Sequence, residues 1–108
     1  MINNGLHLMI EIKENYFDAL FNLGAMYFNE GVQMNEKANA ITDNKKYTAE
    51  MVKVDDKFKQ AVPYFEKAKE VGTDDKGSYK ALLSSLKQLY ARTGDNDKYK
   101  AIMEEMKK

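Results

Sequence analysis

The feature that most constrains this chain is an apolar stripe at helical spacing. Tyr47, Met51, Val54, Phe58, Ala61, Phe65 and Ala68 follow one another at alternating steps of four and three. Side chains at those intervals share one face of an α-helix, whereas a strand would scatter them over both of its faces. Similar steps join Leu20, Leu23, Tyr27, Met34, Ala38 and Ile41. They recur in Tyr79, Leu82, Leu83, Leu86, Leu89 and Tyr90, in Tyr99, Ile102, Met103 and Met106, and at the start in Ile2, Leu6, Met9 and Ile10. One Pro and six Gly among 108 residues leave few breakers, and no segment sustains strand alternation. The fold class read from this pattern is all-α.

Polar turn signals divide the pattern. Asn15 can accept from the Asp18 amide, with Asp18 suited to a first helical turn, so a helix is predicted from about Tyr16 to Ala40. Thr42-Asp43-Asn44 is a turn with N-cap candidates, and a second helix is predicted from about Lys45 to Val71. Gly72 follows as a C′ residue would. Thr73-Asp74-Asp75 caps a third helix that ends at Arg92, and Thr93-Gly94-Asp95 stops it and starts a fourth. Pro63 lies inside the second helix, where it removes one backbone bond. The unbroken stripe through Ala61 and Phe65 favours a kinked helix there over a broken one.

Leu20-Phe21-Asn22-Leu23-Gly24-Ala25-Met26-Tyr27-Phe28 resembles the first helix of a tetratricopeptide (TPR) repeat, with Leu-Gly followed three positions on by Tyr. Ala61-Val62-Pro63-Tyr64-Phe65-Glu66-Lys67-Ala68 is similar to its second helix, through Ala61, Phe65 and Ala68. Gly24 permits close approach of a neighbouring helix, and Ala61 and Ala68 are small enough to receive Leu20, Leu23 and Tyr27. The resemblance implies a superhelix of antiparallel helix hairpins.

Three departures from the family stand out. The family's turn Gly and the aromatic opening its second helix are near neighbours, but Gly31 and Phe58 stand 27 positions apart. Apolar spacing continues through the added stretch, so both helices are expected to be lengthened. About twelve extra residues each would project roughly 18 Å beyond the repeat body. The following repeat is degenerate: Leu83, Leu86, Tyr90 and Gly94 keep the spacing, but Lys87 replaces a small residue. Glu14 and Thr73 occupy the places where the family carries Pro between repeats. In this register 1–13 reads as the remnant second helix of a preceding repeat, 16–72 as an extended repeat, and 74–108 as a degenerate C-terminal repeat or cap. Further repeats are therefore expected upstream, with the chain a fragment lacking its native N-terminus.

Little in the sequence suggests chemistry. His7 and Glu11 stand at i, i+4, but two ligands without a third make a weak metal site. The lone His has no nucleophile motif near it, and there is no Cys. Asp55-Asp56 and Asp74-Asp75 are sequence neighbours, which point about 100° apart on a helix and share a proton poorly. Asp95-Asn96-Asp97 opens like a calcium loop, but Lys100 and Met106 stand where Gly and Glu are needed. Seventeen Lys and Arg balance seventeen Asp and Glu, against a nucleic-acid footprint. The apolar stretch Leu6–Ile12 is too short for a bilayer, which needs about 20 residues. No basic region or cleavage site marks a targeting signal, so a soluble chain is expected, of unspecified compartment.

The expected function is thus non-enzymatic: a protein–protein interaction module without cofactor, metal or nucleic acid and without membrane insertion. Stacked hairpins leave a concave face lined by first-helix residues. In the repeat register that face presents Phe21, Asn22, Ala25, Phe28 and Asn29, then Ser84, Gln88 and Arg92, suited to an apolar peptide with polar anchors. Family members that hold C-terminal carboxylates use Lys and Asn at set positions. Only Asn22 fits here, which argues against such a clamp. The alternative is a structural cap, or an element that self-associates through the N-terminal helix.

Overall fold

A computed structural model describes the backbone from Ile2 to Lys108 and the side chains from Glu11 onward. Four helices follow in order: α1 (Ile2–Ala38), α2 (Asn44–Val71), α3 (Lys76–Thr93) and α4 (Asn96–Lys107). Each packs on the next, and no strand occurs among the described residues.

The turns follow the expected chemistry. Asp43, Asp75 and Asp95 each accept a backbone amide at the start of the following helix, from Lys46, Gly77 and Lys98, at 3.0, 3.0 and 3.1 Å. These side chains satisfy donors that no preceding turn can reach. Gly94 closes α3 in the left-handed conformation at φ 74°, ψ 20°. Gly72 closes α2 at φ 77°, ψ 169°, a backbone region open in practice only to glycine.

The first helix departs from expectation. No break occurs at Asn15, and α1 runs continuously through the proposed boundary between 13 and 16. No Pro or Gly interrupts positions 6 to 23, so each residue adds a backbone bond and propagation outweighs the pull of a cap. Glu14 is used elsewhere. It accepts the Thr73 hydroxyl at 2.6 Å and the Asp74 amide at 3.0 Å, fastening α1 to the α2–α3 turn. These two donors hold its carboxyl below the ordinary range. The side chains of Ile2, Leu6, His7, Met9 and Ile10, on which the remnant-repeat and His7 readings rest, lie outside the described residues.

α1 and α2 form a long antiparallel hairpin whose closest approaches are at two glycines. A Cβ at Gly24 would stand 2.9 Å from the Phe65 ring, and one at Gly31 would stand 2.9 Å from the Phe58 ring. Both rings are fully buried. Gly31 and Phe58, so far apart in sequence, are therefore face to face. Residues 32–57 prolong both helices beyond them, apart from the turn at 39–43. The α1 arm adds seven helical residues (32–38) and the α2 arm fourteen (44–57); fourteen at 1.5 Å carry this tip roughly 20 Å past the end of α3. The molecule accordingly measures 65 × 25 × 18 Å, with a radius of gyration of 17.0 Å. A compact chain of this length would have about 13 Å.

The core is a continuous seam of Phe17, Val54, Phe58, Ala61, Phe65, Ala68, Leu82, Leu86 and Leu89, joined by Ile102 from α4. α2 continues through Pro63, which lies on its exposed face, so the carbonyl deprived of a partner is turned to water. Glu66 ties three helices together. It accepts the Tyr90 hydroxyl of α3 at 2.7 Å and the Lys98 ammonium of α4 at 3.0 Å. Burial, with Glu66 alongside, raises the Tyr90 hydroxyl far above its usual range. Tyr79 of α3 donates to Glu105 of α4 at 3.0 Å, which lowers the Glu105 carboxyl.

Leu23 does not pack against Ala61 and Ala68 as expected. It is 40% exposed, on an outward face of α1 shared with Ile12, Tyr16 and Met26. The space beside Gly24 is filled instead by Phe65, reaching across from α2.

Candidate functional site: the cleft between α1 and α3

Because α2 runs antiparallel to both neighbours, α1 and α3 run in the same direction and flank a cleft floored by α2. Helical register decides which side chains face it. On α1 these are Asp18, Phe21, Ala25 and Phe28, at steps of three and four. On α3 they are Ala81, Ser85, Gln88 and Arg92.

At one end, Phe21 meets Phe65 of α2 edge-on, with centroids 5.4 Å apart, and stacks on Phe17 at 6.1 Å. These rings open onto a cavity of about 350 Å³ bordered by Phe17, Asp18, Phe21, Asp75, Ser78 and Ala81. At the other end, Phe28 meets Phe58 edge-on at 5.5 Å, and the Arg92 guanidinium lies over the same Phe58 ring, 4.4 Å from its centroid. One buried ring thus joins α1, α2 and α3. A guanidinium stacked this way keeps its in-plane N–H donors free while its face is covered by the ring.

Of the residues expected at a binding face, Phe21, Ala25 and Phe28 are half-buried along the cleft, and Asn22 and Asn29 are exposed at its α1 lip. Gln88 and Arg92 are exposed on the α3 side. Ser84 is not with them. It borders a separate cavity between α3 and α4, with Lys80, Leu83 and Met106. One residue of register, about 100° around a helix, separates it from Ser85, which is on the cleft side and donates to the Ala81 carbonyl at 3.0 Å.

Asp18, Asp75 and Ala81 were not among the expected site residues. The sequence marks the two aspartates only as helix-start residues, and Asp75 does cap α3. Their meeting beside Phe17 and Phe21 arises from the packing of α1 on the α2–α3 turn, which no local pattern encodes.

Elsewhere, a cavity of about 500 Å³ lies beside the stacked Tyr27 and Tyr64 rings, bordered by Leu20 and Pro63. It continues the exposed apolar stripe of Ile12, Tyr16, Leu23 and Met26. Among the described residues no group of three His, Cys, Asp or Glu is placed to hold a metal ion. No helix among them is long and apolar enough to cross a membrane. No family model, curated protein or solved structure matches this chain.

Proposed function

We propose that this chain is a TPR-like helical-repeat module that binds a protein or peptide segment along the cleft between α1 and α3. The observation that carries this reading is the convergence of Phe28 and Arg92 on Phe58. It provides an apolar floor, a guanidinium above it that makes no ion pair among the described residues, and amide side chains along the lips. Such a combination of aromatic anchors and adaptable polar groups is the usual composition of a protein-binding surface. The groups gathered around Phe58 are rings, amides and one guanidinium, which supports recognition as the chemistry of this end of the cleft.

Panning a random-peptide display library on the purified chain tests this. The wild-type chain enriches a peptide consensus. The Phe21→Ala/Arg92→Ala double variant, checked by circular dichroism for unchanged helicity, loses at least tenfold of that enrichment. A variant that enriches the same peptides equally well removes the cleft from the account.

A second reading, self-association, is favoured by the α1 face carrying Ile12, Tyr16, Leu23 and Met26, exposed by 58, 50, 40 and 45%. An apolar stripe at steps of four, seven and three stays on one helix face, the arrangement one helix offers another. Sedimentation velocity separates the two readings. A concentration-dependent dimer abolished by Leu23→Glu supports assembly, and a monomer at all concentrations discards it.

A further inference from the structure

We propose, resting on the reading of the cleft as a peptide site, that its occupant is a dipolar segment: a short apolar stretch with a cationic residue at one end and a carboxylate residue at the other. The two ends of the cleft carry opposite charge. At the Phe17–Phe21 end, Asp18 and Asp75 border the same cavity. Asp75 is held in place by the Gly77 amide and the Ser78 hydroxyl, each at 3.0 Å. These donors orient the carboxylate without neutralising it. Asp18 is exposed and makes no ion pair among the described residues.

At the opposite end stands Arg92, also exposed and without an ion pair among the described residues. Its stack on Phe58 fixes the plane of the guanidinium, so two parallel N–H groups can meet one carboxylate. Between these ends the α1 wall from Ala19 to Asn29 contains no charged residue. Ten helical residues from Asp18 to Phe28 span about 15 Å. An extended strand covers that distance in about five residues. A segment with unlike charges at that separation places each against its complement. A segment with two like charges brings one of them against a like charge.

Three pools of acetylated and amidated hexapeptides test this, each with four neutral or apolar positions between fixed ends. The ends are Lys and Glu (in both orders), Lys and Lys, or Glu and Glu. The purified chain retains the mixed-charge pool about tenfold better than either other pool, as one added interfacial charge pair permits. Arg92→Glu moves the preference to the Lys–Lys pool, and Asp18→Lys, which leaves Asp75 in place, erases the preference for a Lys end. Arg92→Gln, which keeps a long polar side chain, erases the preference for a Glu end without creating a new one. Equal retention of all three pools by the wild type, or an unchanged preference in the variants, overturns the charge assignment and leaves the cleft reading standing. Retention of none of the pools overturns both.

Discussion

Phe58→Ala lowers the free energy of unfolding by about 3–5 kcal/mol, measured by urea denaturation followed by circular dichroism. The ring is completely buried. It is packed from three sides: Gly31 beneath it, Phe28 against its edge and Arg92 across its face. Truncation removes the transfer energy of the ring and leaves a void that two rigid helices cannot close. A domain of this size has roughly 5–15 kcal/mol in all, so the loss is a large share of it. At roughly 4 °C per kcal/mol the midpoint of thermal unfolding falls by about 12–20 °C. Val52→Ala, on the same helix but 57% exposed, changes stability by less than about 0.5 kcal/mol. The contrast between the two positions isolates burial from helix propensity, since both replacements put Ala in the same helix.

Gly31→Leu alone costs about 1–3 kcal/mol, and it costs less in the Phe58→Ala background. A Cβ at Gly31 would lie 2.9–3.1 Å from three atoms of the Phe58 ring, closer than side-chain carbons pack. The ring has no free space to retreat into, so α1 and α2 must separate, and overpacking of this kind costs about 1–3 kcal/mol. The better helix propensity of Leu returns less than about 1 kcal/mol. With Phe58 truncated, the same Leu fills the vacated volume. The double variant is therefore less destabilised than the two single losses added together, by about 1–3 kcal/mol of coupling. Strict additivity would mean that the two positions do not touch.

How far this molecule can be read from its residues depends on whether the information is local. The α2 stripe was legible because each of Val54, Phe58, Ala61, Phe65 and Ala68 is buried on one face and the helix is polar elsewhere. The capping aspartates were legible for the same reason, since a cap acts within three residues. α1 was harder. Apolar side chains cover most of its circumference, so periodicity does not indicate which ones face α2. Spacing places Leu23 toward α2, yet it is on the outward face, whereas Phe17 is 1% exposed. The break expected at Asn15 failed because a residue able to cap a helix is also tolerated inside one.

The cleft was legible only in part. The repeat register that the resemblance implies includes Phe21, Ala25, Phe28 and Arg92, which border it, and also Ser84, which lies one residue off it. The carboxylate end composed of Asp18 and Asp75 required knowledge of how α1 meets the α2–α3 turn. That the tip is helical was legible, though not its uneven division into seven residues on α1 and fourteen on α2: apolar steps of three and four persist through Met34, Ala38, Met51 and Val54. A flexible strap would have no use for them.

The cleft exists only if α1 and α2 pair in the register set by the two glycines, with both helices continuing past Gly31 and Phe58. Nuclear Overhauser spectroscopy of the isotope-labelled chain measures this directly. Strong contacts are expected from the Gly24 Hα protons to the Phe65 ring and from the Gly31 Hα protons to the Phe58 ring. Those Hα signals should be displaced by the ring currents, with helical amide patterns through 32–38 and 44–57. Absence of the Gly31–Phe58 contact together with random-coil shifts across 32–57 would contradict it.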